Sequence, residues 1–144
     1  MASVPSNKLK FLLASKVVDF ANDSFKIILM ASGFVFNRDT HHGYADVSGS
    51  ELPTANGYTA NTKVLTGVAV TEDDADDRCE ITWANVQWTA TGGSIGPTPG
   101  AIIFDDTVIT PLADPIVGYI DFGGDQTQAD GGTATVSNVE VRLA

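Results

Sequence analysis

Apolar residues in this chain change rhythm once, near residue 20. Before it, Leu9, Leu12, Leu13, Val17 and Phe20 recur at three- and four-residue steps behind Asn7 in the cap position, the spacing of a short amphipathic helix. After it, apolar side chains sit in short runs, many alternating with polar ones, bounded by Gly, Pro, Asn and Asp. Such a chain must satisfy most of its backbone hydrogen bonds between strands. The pattern therefore predicts a mainly β protein of about seven or eight short strands, an antiparallel β-sandwich or barrel-like domain with one short N-terminal α-helix.

Phe25–Met30 reads as the first strand. In Lys63–Val70 the residues Val64, Thr66, Val68 and Val70 share one face, and Cys79, Ile81 and Trp83 alternate with Glu80 and Thr82. Val86 and Trp88 flank Gln87, and Ala101–Phe104, Pro115–Phe122 and Thr133–Leu143 supply the rest. Val136 is out of phase with Val139, Val141 and Leu143, which predicts a bulge near Ser137 and Asn138. The glycines and prolines of "GGSIGPTPG" (92–100) predict a turn or exposed loop. The division expected is an N-terminal arm over residues 1–8 and a single β-rich domain over 9–144. That domain carries a long surface loop, 37–62, with one helical turn near Val47–Leu52. Val68, Ile81, Trp83, Ile103, Ile120 and Val141 are expected in the core.

A length of 144 residues suits one domain with its own core. The formal charge of −10 repels phosphate backbones and anionic headgroups, so neither nucleic acid nor membrane is an expected partner. Cys79 is the single cysteine, which excludes an intrachain disulfide and points to a reducing compartment during folding. The opening "MASVPSNKLKFLLASKVV" lacks the continuous apolar region of a signal peptide, and no run approaches the ~20 apolar residues of a membrane span. A soluble chain is expected.

The acid run "TEDDADDRCE" (71–80) is the densest cluster of ligating oxygens. Counted from Asp74 as a calcium loop, its fifth position is Arg78 and its sixth Cys79, where an EF-hand needs an oxygen ligand and a glycine. A different site using two or three of Asp73, Asp74, Asp76 and Asp77 stays open beside the simpler reading, a solvated turn with Arg78 offsetting repulsion. His41 and His42 are adjacent on an extended segment and point to opposite sides, so they read as exposed loop residues. Cys79, in phase with Ile81 and Trp83, reads as a buried, inert thiol. Asp105, Asp106 and Asp121 offer a carboxylate pair of the glycosidase kind, but no other feature marks a sugar cleft. No catalytic residue, cofactor or metal is expected.

Three strings together carry a resemblance: "YADVSGSELPTANGYTANTKVLTGVAVTEDDADDRCEITWANVQWT", "IGPTPGAIIFDDT" and "PIVGYIDFGGDQTQADGGTATVS". Within them Gly57–Ala60, Asp73–Arg78, Trp88, Asp105–Thr107 and Tyr119–Gln126 resemble the pattern of a family of small tailed-bacteriophage structural proteins, over residues 9 to 136. The arm before Lys8 and the terminal "NVEVRLA" depart from it. The resemblance implies a virion component and not an enzyme: a capsid decoration (cement) protein on the outside of the head, after residence in the host cytoplasm during assembly. A tail tube or fibre-attachment protein is the alternative, and a virion-associated glycan hydrolase a more distant one. The implied partners are the major capsid protein and further copies of the chain, with a trimer favoured. The arm and the long loop are the expected contact elements, through Val4, Pro5, Asn7, His41, His42, Tyr44 and Tyr58.

Overall fold

"FKIIL" and "AIIF" carry almost no polar residue, which a strand tolerates only when both its faces are covered. The computed structural model, which describes residues 2–144, pairs the two in one such sheet, with "AIIF" in an inner strand and "FKIIL" in the edge strand beside it. The chain is mainly β, with 44% strand and 11% helix and antiparallel pairing, as the sequence predicts. The strands are β1 (Ala2–Pro5), β2 (Phe25–Leu29), β3 (Ala69–Asp73), β4 (Arg78–Trp83), β5 (Val86–Thr89), β6 (Ile95–Asp105), β7 (Ile116–Gln128), β8 (Thr133–Val136) and β9 (Val139–Leu143). They form a four-stranded sheet in the order β1-β7-β6-β2, a three-stranded sheet β3-β4-β9 and a ribbon β5-β8.

One face of the four-stranded sheet builds the main core. Phe25, Ile27, Leu29, Ile103, Val117 and Ile120 meet Ile81, Trp83, Val139 and Val141 of the three-stranded sheet and Val86, Trp88 and Val136 of the ribbon. Phe20, Phe25 and Trp83 pack ring to ring, with centroids 5.1 to 6.0 Å apart. The opposite face is covered by irregular chain: Ile28, Met30, Ile102, Phe104 and Tyr119 lie beneath Val47, Phe34, Phe36 and Tyr44. Of the expected core, Ile81, Trp83, Ile103, Ile120 and Val141 are buried. Val68 is partly buried, and the segment before it is no strand: Leu65 is buried while Val64 is exposed, because only Val64 bridges to β2 and regular pairing starts at Ala69.

Helix α1 spans Asn7–Ala14 and buries Leu9 and Leu12. It ends sooner than the Phe20 expected from the apolar spacing. Lys16 takes a left-handed φ of 57°, its amide donates to Leu13 and the amide of Val17 to Leu12, a Schellman closure that satisfies the last carbonyls. The N-terminal position is held by Ser6, not Asn7, and its hydroxyl reaches the His41 carbonyl at 3.5 Å.

Three other expectations are corrected. The arm over 1–8, of which Met1 lies outside the described residues, is β1 and the start of α1: Ala2–Pro5 pair with Gly118–Asp121. The stretch 92–100 is not merely a loop, since Ile95–Gly100 is the first half of β6; two register shifts against β7 let the chain accommodate Pro97 and Pro99, which lack amide protons. The phase break at Val136 is not a bulge within one strand. Asn138, at φ 53°, separates β8, paired with β5, from β9, paired with β4.

Candidate interaction face

An aromatic strip lies where β1 joins the four-stranded sheet. Val4 stands opposite Tyr119 in the register, and the segment after β2 turns at Gly33, φ 86°, to bring Phe34 and Phe36 onto the Tyr119 ring at centroid distances of 5.8 and 5.5 Å. Val35, between two side chains that face the sheet, points away and is 79% exposed. His41 stacks on Phe34 at 5.5 Å, and its Nδ1 accepts the Asn37 amide at 3.1 Å. Val4, Phe34, Val35, Phe36, Arg38 and Tyr119 thus line a shallow groove of about 530 Å³. Burial pushes the Tyr119 hydroxyl up to about 12, with Asp121 and Asp125 adding to it, so it stays a neutral donor at physiological pH.

Polar contacts fix the rim. Asn7 donates its amide to the Arg38 carbonyl at 3.0 Å, accepts Arg38 Nε at 3.1 Å and donates its side chain to Asp39. His42 Nε2 lies 2.7 Å from the Asp39 carbonyl, and its amide donates to Asp46 at 2.9 Å. The Asp46 carboxylate also takes the Gly43 amide, and these two bonds hold its pKa below the usual carboxylate range. Asp46 sits in the single turn α2 (Tyr44–Val47), the helical turn expected nearby, followed by a 3₁₀ turn at Ser48–Ser50. Both histidines are half-buried, which corrects the expectation of exposed loop residues.

Of the seven expected contact residues, the fold brings Val4 and Pro5 of β1, Asn7, His41 and, at the rim, His42 to or beside this groove. It does not bring Tyr44 or Tyr58. Both donate to one carboxylate, Glu51, at 2.7 Å each, and the Asn61 amide joins them at 2.7 Å. Tyr58 is 3% exposed and Tyr44 stacks on Phe104, so these two pin the 37–62 segment to the body instead of offering it to a partner. Sequence reasoning missed Phe34, Phe36 and Glu51. The signal for the first two was "FVF", an alternating pair of aromatics inside a segment otherwise rich in Gly, Ser and Asn.

The other candidate residues separate. The acid run is the turn of the β3–β4 hairpin, with Asp77 at φ 49° and Asp74 exposed. Arg78 gathers Asp73 at 3.2 Å, Asp76 at 3.1 Å and Glu80 at 2.7 Å, so the ligating oxygens already have a cation. Among the described residues no group of three His, Cys, Asp or Glu side chains converges as metal ligands would. Cys79 is half-buried rather than buried, because its register partners are Glu72 on an exposed edge strand and Leu143 near the end of the chain. Asp105 and Asp121 are not a pair: Asp121 stands opposite Gly100, five residues from Asp105 along β6, roughly 16 Å. Asp106 is bound to Lys26 at 3.0 Å.

Comparison with family models, with curated proteins and with solved structures returned no match to this chain.

Proposed function

We propose that this chain is a bacteriophage virion structural protein, a capsid decoration protein that docks on the outer surface of the head through the groove between β1 and Phe34–Phe36. The observation that carries the reading is the exposed Val35 above an aromatic floor, set beside an N-terminal strand. Contiguous apolar surface rimmed by polar groups marks contact sites on soluble proteins. The resemblance of the three strings to small phage structural proteins supports the choice of partner, the major capsid protein. The net charge of −10 suits a surface outside the DNA compartment. Decoration acts by mass action: each bound copy stabilises the lattice state it prefers, by about 2.7 kcal/mol when free protein is a hundredfold above its Kd. A homotrimer would repeat a heterologous contact three times around one axis.

The test mixes purified protein with undecorated expanded heads and follows cosedimentation and the temperature of head rupture. Binding that raises that temperature, and that Val35→Glu abolishes, is the expected result. Failure to bind heads, with co-purification on tails, would sink the decoration reading in favour of a tail component. Hydrolysis of a glycan would overturn both.

A further inference from the structure

At the end of the sandwich where β2 begins and β6 ends, Asp105 is fully buried, with 0% of its surface exposed. Its Oδ1 accepts the amides of Thr107 at 2.8 Å and Val108 at 3.3 Å, and its Oδ2 has no donor at all. The group across from it is the carboxyl of Asp23, half-buried in the segment that leads into β2. A fully buried carboxylate that faces a second one ionises at high cost, and a proton on Asp105 would turn its orphan oxygen into a donor.

The surroundings offer no other donor to that oxygen. Lys26 of β2 is taken by Asp106, and Asp114, from the segment joining β6 to β7, adds negative charge next to Asp106. Asp19 turns its carboxylate to the Ala21 amide and the Asn22 side chain, while its own amide donates to Asp23 Oδ2 at 2.8 Å. Two connections meet at the pair. The amide of Ser24 donates to Thr107 Oγ1 at 2.7 Å and the amide of Asp106 to the Ser24 carbonyl at 2.8 Å, so segment 19–24 and segment 106–115 are stitched together there.

We propose that the buried Asp105 carboxyl carries a proton that its orphan oxygen donates toward Asp23, a pH-sensitive latch that ties segment 19–24 to segment 106–115, closed when the proton is present and loosened when it leaves. Burial, with Asp23 beside it, raises the Asp105 carboxyl to about 7, against the two amides that hold it down. A raised folded-state pKa means that the folded chain binds the extra proton. Its stabilisation is full below the unfolded value near 4 and is lost as pH rises through about 7. The latch stands apart from the docking groove and does not depend on the capsid reading.

The experiment measures Tm of the full chain from pH 5 to 8.5 at fixed ionic strength, together with amide exchange at Thr107 and Val108 corrected for its intrinsic pH dependence. Wild type should lose Tm across that range and exchange faster at both amides above pH 7. Asp105→Asn keeps the acceptor for the two amides and places a permanent donor against Asp23, so its Tm should stay level and its exchange protected. Asp23→Asn donates to Asp105 from the other side and should flatten the profile too. Asp74→Asn, which removes one exposed charge elsewhere, should retain the wild-type slope. A level wild-type profile, or a slope undiminished in both Asp105→Asn and Asp23→Asn, would overturn the latch. So would a rise in Tm at pH 8.5 with calcium, reversed by chelator and absent in Asp105→Asn, because the pair would then hold a cation in place of the proton.

Discussion

The Tyr58 hydroxyl donates to Glu51 at 2.7 Å while accepting the amide of Leu29 at 3.0 Å, so one buried oxygen joins the 37–62 segment to β2. Burial raises its pKa beyond the ordinary phenol range, which keeps it a donor at physiological pH. Tyr58→Phe removes that oxygen, which leaves the Leu29 amide without its partner and Glu51 Oε1 with the Asn61 amide alone. The expected loss is about 1–3 kcal/mol in urea denaturation. A variant as stable as wild type would show that water replaces the hydroxyl.

Gly57 has a φ of 93°, and a β-carbon there would fall on the Thr89 carbonyl. Gly57→Ala therefore meets a backbone clash in addition to a conformation that L residues avoid, and should cost at least about 1–3 kcal/mol. Gly49→Ala is the control: its β-carbon would enter open space at an ordinary φ, and thermal melting should hardly change.

Lys16 closes α1 in the left-handed region at φ 57°. Replacement by glycine relieves the crowding of a β-carbon, worth roughly 1–2 kcal/mol, and forfeits part of that through the freer unfolded chain. The net expectation for Lys16→Gly is a gain in midpoint urea concentration with an unchanged slope. A drop would mean that the lysine side chain makes a contribution greater than its backbone strain.

In the acidic hairpin, Asp74 is exposed and makes no bond to Arg78, whereas Asp73 and Asp76 do. Asp74→Asn should raise Tm slightly at low salt and leave it unchanged at high salt, since exposed charges are screened within a Debye length of ~8 Å at physiological ionic strength. Arg78→Gln should lower Tm, most of all at low salt, because three carboxylates lose their common partner.

Val35→Glu alters a side chain that is 79% exposed and should leave the melting curve in place. Its effect belongs to the contact: loss of binding to heads with unchanged stability separates the docking face from the core that supports it. A variant that melts early would place Val35 among the residues that hold the fold.

The β class was legible because alternation survives wherever one face of a strand meets solvent, as in β4, β5 and β9. Pairing was not legible where the pattern was local but its cause was remote. Val136 and Val139 fall out of phase because they serve different sheets, and a phase break alone looks the same as a bulge. Gly and Pro at 96–100 announced a turn, yet the partner strand β7 absorbs them by register shifts that only the paired structure reveals. Tyr58 looked like a contact residue because Gly57 and the polar residues around it mark a loop; that Glu51 captures it depends on a fold-back of seven residues with no periodic trace. Asp105 was legible only as a candidate carboxylate; its burial was not, because it depends on ending β6 where the preceding Ala101–Phe104 are all interior.

The crossing at Asn138 makes the three-stranded sheet and the β5-β8 ribbon mechanically dependent. Five residues of β9 are zipped to β4, and the four of β8 just before them are zipped to β5 in a separate ribbon, so neither sheet nor ribbon can peel away without drawing the other's last strand with it. Unfolding should thus proceed as one event, with fluorescence of Trp83 in the sheet and Trp88 in the ribbon decaying on a single curve.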